Sequence, residues 1–349
     1  MRSDRIIALG LTMSIWLAVG SGAAGSLDAR GVEVGGTCLC PPQHPSLLQA
    51  YRYRPTWQVA GVDYHVGVPD GLALKDPATI SMAGVTVNKS THVVTVTGSN
   101  VTLDGYDFSL AGGWAVVISG SNTTVTNSNF LVGSNGNPPI LGTSSSSNIT
   151  VTNSTIDGNN SAAVGGLIEM RGSGTLTVDH SWLKNAGGDM IQMHTSGQAA
   201  SAVIQYNLIQ NAGMAPGAHG DYTEFIDGPY TATIMYNTTT QKGGATQGFM
   251  VEPDMGSNAG VITSGEIGNN TMTGSVNAFT AITVADIVNS FTVHDNYFDP
   301  SQTSSGLAFG GVRGGPNDNS TKSFYENNIN MLTGQVVRKA VLPKSVTSR

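Results

Sequence analysis

Charged side chains are scarce in this chain, at 11% of 349 residues, and bases are scarcer than acids, with 16 Lys and Arg against 23 Asp and Glu. The basic stripe that phosphate binding needs is missing and the net charge is -7, which excludes nucleic acid as a partner. A broad polyanion-binding groove is excluded on the same ground unless Ca2+ bridges acidic sugar to acidic protein, so Ca2+ is the candidate cofactor. Cysteine is nearly absent: Cys38 and Cys40, in TCLCPPQHP, are the whole supply. A Cys-x-Cys ring is strained, so these two form a local staple, stay free or pair with another chain, and with His44 they make only a weak metal site. Long apolar runs are missing too. The longest, Ile6 to Val19, spans 14 residues, short of the roughly 20 that a membrane-spanning helix needs. Arg2 and Arg5 precede it and Ser21-Gly22-Ala23-Ala24-Gly25 follows, the pattern of a secretory signal over residues 1–25, cleaved near Ala24. The expectation is a secreted or periplasmic chain, a monomer with no membrane attachment after cleavage.

Helical periodicity is the last absence, and in its place stands a repeat. Nine windows align without a gap: VTLDGYDF from Val101, TTVTNSNF from Thr123, ITVTNSTI from Ile149, LTVDHSWL from Leu176, AVIQYNLI from Ala202, ATIMYNTT from Ala232, GEIGNNTM from Gly265, FTVHDNYF from Phe291 and KSFYENNI from Lys322. Their starts lie 22 to 33 residues apart, a solenoid period. The third position is apolar in every copy, from Leu103 to Phe324, and the eighth in all but Thr239. Short alternations between them read as strands. The sixth position becomes Asn207, Asn237, Asn270, Asn296 and Asn327, which predicts an internal asparagine ladder at the roughly 4.8 Å strand spacing. Forty-five glycines suit such a coil and suit a long helical protein badly. The expected fold is all-β, a right-handed parallel β-helix of about nine or more coils. Residues 26–82, rich in Tyr and Pro, form an N-terminal cap or linker, 83–333 the β-helix, and 334–349 a basic tail. Sequons such as Asn100-Val-Thr and Asn122-Thr-Thr fall inside the repeat, where strands and turns want these residues anyway.

A further strand follows each window, and the chemistry gathers there: GLIEMRG, GGDMIQMHT, HGDYTEFID, GFMVEPD and TAITVAD. Alternation turns Ile168, Met170, Ile191, Met193, Thr223, Phe225, Phe249 and Val251 inward. That leaves one outer column of Glu169, Gln192, Glu224 and Glu252 and a second of Arg171, His194, Ile226 and Asp254. Asp189 falls beside Asp221, with His219 two residues upstream of the latter. Carboxylates one coil apart raise one another's pKa unless a cation neutralises both, and their spacing is close to that of a glycosidase pair. Asp189, His219, Asp221, Glu224 and Glu252 are therefore the candidate catalytic groups. Glu169, Arg171, Gln192, His194, Tyr222 and Asp254 are the candidate polysaccharide-binding ones, with Tyr222 and Met250 as possible sugar-stacking surface. No metal-ligand set is assigned. The plainer reading makes Asp after Gly-Gly a turn residue, the outward Glu a solubility device and Arg171 the partner of a carboxylate.

The repeats, the leader and the outer cluster together resemble the pectate-lyase-like superfamily of right-handed β-helices, over about 84 to 331. The resemblance implies an enzyme acting on polysaccharide by lyase or hydrolase chemistry. TVDHSWL, with Asp179 and His180, and the downstream Asp189 are similar to the Ile-Asp-His segment and aspartate of pectate lyases. Their catalytic arginine has no clear counterpart beyond Arg171 and Arg313, and the Asp-Pro-His-Asp motif of mannuronan epimerases is absent. HGDYTE, with His219, Asp221 and Glu224, resembles a His-x-Asp-x-x-Gln/Glu pattern of several bacterial β-helix proteins. The other readings are a carbohydrate-binding module and a structural or adhesive solenoid.

Overall fold

In the computed structural model, residues 40–244, 247–252, 260–274, 281–284, 287–299 and 323–337 are described. The leader, Cys38, Asp254 and Arg313 lie outside them. Each window is a strand, a corner and a second strand. Its first half builds a nine-stranded sheet from Thr102–Asp104 to Ser323–Glu326, and its second half another from Asp107–Phe108 to Ile329–Asn330. The strands that follow the windows build a third sheet of nine, from Val85–Asn88 to Ile282–Val284. Every pairing between coils is parallel. Among the described strands the antiparallel pair is Val85–Asn88 on Val93–Val96, a hairpin at the first edge, where Ala78 and Met82 pack on the core and Ile80 is buried; an isolated antiparallel bridge joins Ile329 and Val336 in the last coil.

The corner explains the fifth position of the window. Gly105, Asn127, Asn153, His180, Tyr206, Tyr236, Asn269 and Asp295 all have φ between 46° and 70°, and in the last coil Asn327, one place later in its window, has φ 51°. Glycine, Asn and Asp enter this left-handed region at little cost, whereas His180, Tyr206 and Tyr236 are strained there by about 1–2 kcal/mol each. Their rings stack in compensation, 5.1 and 5.0 Å between centroids.

Positions three and eight line the core. Leu103, Val125, Val151, Val178, Ile204, Ile234, Ile267 and Val293 stack in register and are fully buried, as are Phe108, Phe130, Ile156, Leu183 and Ile209. Burying each such side chain contributes about 1.5–3 kcal/mol. The final window departs from the sequence alignment by one residue. Phe291 pairs with Ser323 and Val293 with Tyr325, so Phe324 is not a core residue but stands 47% exposed. A one-residue slip sends every side chain to the opposite face. The window contains Asn327 and Asn328 in succession, and composition alone does not choose between them.

The same slip corrects the ladder. Asn207 Nδ2 donates to Asn237 Oδ1, Asn237 to Asn270, Asn270 to Asn296, and Asn296 to Asn328, each at 2.9 to 3.0 Å. Asn328, not Asn327, is the last rung. The column also begins earlier than the asparagines. Ser128, Ser154 and Ser181 hold the sixth position in earlier coils, and each hydroxyl accepts the backbone N–H of the corner one coil before. Ser181 N–H then donates to Asn207 Oδ1.

The N-terminal segment runs along the flank of the coils. Tyr53 N–H donates to Met331 O in the last coil, Gly67 N–H to His180 O, and Lys75 N–H to Gly105 O in the first. Leu48, Val59 and Val62 pack with Met331, and Ala60 and Val66 with Leu208. Cys40, at its start, is disulfide-bonded.

Candidate functional site

The site grows from the edge where the turns enter the third sheet. Asp189 and Asp221 each follow a glycine, and the glycine is required: a Cβ on Gly220 would collide with the Gly213 nitrogen and the Gly188 carbonyl. The close backbone approach sets the two aspartates one above the other. Asp221 N–H donates to Asp189 Oδ1 at 2.6 Å, and Gln247 N–H donates to Asp221 Oδ1 at 2.6 Å. Gln192 Nε2 spans the next gap, 2.7 Å from Asp189 Oδ2 and 2.9 Å from Glu224 Oε2. His194 Nε2 lies 3.2 Å from the same Glu224 oxygen. His219, its side chain 51% exposed, has Nδ1 3.8 Å from Asp221 Oδ2 and Nε2 2.7 Å from Gln247 Nε2.

Burial and charge push these carboxyls apart. Asp189 is held well above the usual carboxylate range by desolvation, then by the nearby Glu224 and Asp221 charges, against hydrogen bonds from Asp221 N–H and Gln192. Asp221 is pushed up to about 8, first by burial and, beyond the opposing Gln247 hydrogen bond, by Glu224 and Glu252. Glu224 is lowered. Desolvation works against it, but the His194 hydrogen bond and charge, with Gln192 and Asp189, prevail. Asp189, Gln192 and His219 line a cleft of ≈ 330 Å³ whose other walls are mostly Gly and Ala.

Asp189, Gln192, His194, His219, Asp221 and Glu224 thus converge, and Glu252 lies near enough to act on Asp221. The outer columns need correction. Glu169, Gln192 and Glu224 are in register, but the next member is Met250, because Thr223 pairs with Phe249. Glu252 therefore continues the second column behind His194 and Ile226, and it is buried. Aligning strands by their acids rather than by their inward apolar residues produced the shift. Tyr222 is no sugar platform: it is fully buried, its ring edge-on to Phe249 at 5.7 Å, and Met250 is buried as well. Arg171 donates to Glu169 Oε1 at 2.6 Å, the plain pairing. Asp179 and His180, similar to a lyase segment, lie at the corner between the two window sheets, away from Asp189. There His180 Nδ1 is 2.9 Å from Asp179 Oδ2 and its ring packs against Tyr64 and Tyr206. Gln247 is the residue sequence reasoning missed. It stands two before Phe249 as Asp221 stands two before Thr223 and Asp189 two before Ile191, a register signal that a search for titratable groups passes over.

Asp189, His219 and Asp221 offer donor atoms all within 4.8 Å of one another, a group that can coordinate a divalent ion. No helix among the described residues is long and apolar enough to cross a membrane. A family model described as "Right handed beta helix region" matches residues 70–251, just over half of the chain. No curated protein and no solved structure matches.

Proposed function

The chain belongs to the right-handed β-helix family, and from that premise we propose that it is an exported, monomeric enzyme that cleaves or modifies polysaccharide by general acid–base chemistry. One observation carries this reading: in a chain with 11% charged residues, the Glu224–His194 pair is joined through Gln192 to an open cleft that Asp189, Gln192 and His219 line. Glu224, held by Gln192 and His194, is the base. It takes a proton either from a water attacking the anomeric carbon or from a sugar C–H. A water in the cleft returns a proton to the glycosidic oxygen as its bond to carbon breaks. In the first case a new C–O bond forms; in the second the C–H electrons become a C=C bond. Asp189, at the edge of the cleft, positions Gln192 by accepting from its Nε2.

The alternative is a carbohydrate-binding β-helix without turnover. It is favoured by the way both aspartates spend Oδ1 on backbone N–H groups of the next coil, as structural residues do. The mature chain incubated with a panel of neutral and acidic polysaccharides decides between the two. New reducing ends or unsaturated uronide absorbance, abolished in Glu224→Gln at unchanged circular dichroism, supports the enzyme. Retardation on a glycan gel without either product supports the binding module. A chain found unprocessed at Met1 in secreted material would remove the cleavage near Ala24.

A further inference from the structure

We propose that Asp189, His219 and Asp221 bind a divalent first-row transition ion, with Zn2+ as its reference, whose remaining coordination positions open onto the cleft. Asp221 is 0% exposed, and its Oδ2 has no hydrogen-bond partner, although buried polar atoms are otherwise satisfied as a rule. That oxygen faces His219 Nδ1 at 3.8 Å, too far for a hydrogen bond. It is within the roughly 4.2 Å that separates two donors each about 2.1 Å from one ion. An oxygen of Asp189 completes the group within 4.8 Å.

The parts differ in rigidity as an entry site requires. Both aspartates are locked through Oδ1 to backbone N–H groups, while the half-exposed imidazole is free to close by the last fraction of an ångström. On the open side stand Gly165, Gly187, Gly188 and Ala218, which leave room for water or a ligand oxygen. Glu224 turns its Oε2 to Gln192 and His194 instead.

The donor set selects the ion. Ca2+ takes six to eight oxygens, whereas one imidazole nitrogen with two carboxylates suits zinc and its neighbours. His219 also has the outer partner that a metal-bound histidine needs. Gln247 lies 2.7 Å from its Nε2, and a turn of that carboxamide presents Oε1 to accept the Nε2–H, leaving Nδ1 for the ion.

The test uses the untagged full chain stripped with chelator, titrated calorimetrically with Zn2+ and with Ca2+, and loaded with Co2+ for its visible absorption. The expected result is one equivalent of Zn2+ bound more tightly than Ca2+, with Co2+ absorption that Zn2+ displaces. Both His219→Ala and Asp221→Asn should weaken Zn2+ at least tenfold. Absence of Zn2+ and Co2+ uptake, tighter binding of Ca2+, or Zn2+ affinity unchanged in His219→Ala overturns the proposal. His219→Ala decides even if the Asp221 variant fails to fold, because that side chain is exposed. Binding is read without any glycan, so a metal-binding chain that is inert toward every polysaccharide overturns the enzymatic reading alone.

Discussion

Two polar columns climb this solenoid, each with one member per coil, and they differ in a single kind of atom. The inner one, Asn207 through Asn328, is made of carboxamides. Asn207 accepts Ser181 N–H; each rung from Asn237 to Asn328 accepts a backbone N–H and a neighbour's Nδ2 on its oxygen, and from Asn207 to Asn296 each donates through Nδ2 to the next rung and to a carbonyl. The outer one, Asp189 and Asp221, continued by Gln247, uses Oδ1 in the same way. A carboxylate has nothing to donate. The stack therefore cannot close on itself: ionising it would bury negative charge, so both acids are held above the usual carboxylate range, and Asp221 Oδ2 is left without a donor. An amide column is structure; the same column written in aspartate is a site.

Exchanging the two chemistries tests this contrast. Asn237→Asp should be the most damaging change, because it removes the donor to Ile204 O and Asn270 Oδ1 and buries an acid. Two unmet hydrogen bonds cost about 2–6 kcal/mol together. The drop should appear as a lower urea midpoint; a midpoint within error of the parent would mean that the ladder contributes nothing.

The converse exchange, Asp221→Asn, should cost little at acid pH and stabilise at alkaline pH, in the presence of chelator. The folded-state pKa near 8 lies above the ordinary 3.8, so between those values the native protein keeps a proton that the unfolded chain releases. Stability then falls as pH rises across that window, by at most about 1.4 kcal/mol per pH unit for one group. Asp189 and Glu224 share the titration, and Glu252 and His219 stand beside Asp221. The Asn variant should lack most of this slope and coincide with the parent below about pH 4. Parallel stability curves from pH 4 to 9 would show that Asp221 is not the group that resists ionisation.

A smaller effect belongs to the serine rungs, where the column is hydroxyl rather than amide. Ser154→Ala leaves Ser128 N–H without its acceptor and takes one of two donors from Thr152 O, which keeps Asn127 N–H, costing about 1–3 kcal/mol. Ser154→Asn should recover part of it by offering an amide oxygen to Ser128 N–H. A hydroxyl that could be deleted without loss would confine the ladder to the later coils.

Much of this was legible in the sequence because a parallel coil repeats its constraints. Apolar residues at positions three and eight, and four of the five asparagine rungs, follow from alignment alone. The strand-start alignment also brought Asp189 to Asp221. What escaped was whatever depends on register at one residue's resolution or on a conformation without a composition signal. Serine in the sixth position looks like any polar strand residue until its hydroxyl is seen to replace a carboxamide. Glu252 is acidic like Glu224, yet it sits one column over because the inward pair is Phe249 and Val251. Tyr222 reads as a platform and is instead packed inside, since only burial, not residue type, distinguishes the two.

The smallest expected effect sharpens the comparison most finely. Asn327 and Asn328 are adjacent and chemically identical, but Asn327 holds the left-handed corner with φ 51°, exposed, while Asn328 is buried and accepts both Asn296 N–H and Asn296 Nδ2 on Oδ1. Aspartate tolerates the left-handed corner nearly as well as asparagine. Asn327→Asp should therefore shift stability by no more than about 0.5 kcal/mol, the range of an exposed substitution. Asn328→Asp loses only the Nδ2 bond to Val293 O while burying a carboxyl at the end of the ladder, and it should cost about 1–3 kcal/mol. Both variants add one negative charge to the same coil, so overall electrostatics cancels in the difference. If the two midpoints fall together, the final rung is not where the register places it, and the exposed Phe324 would have to return to the core as the original alignment had it.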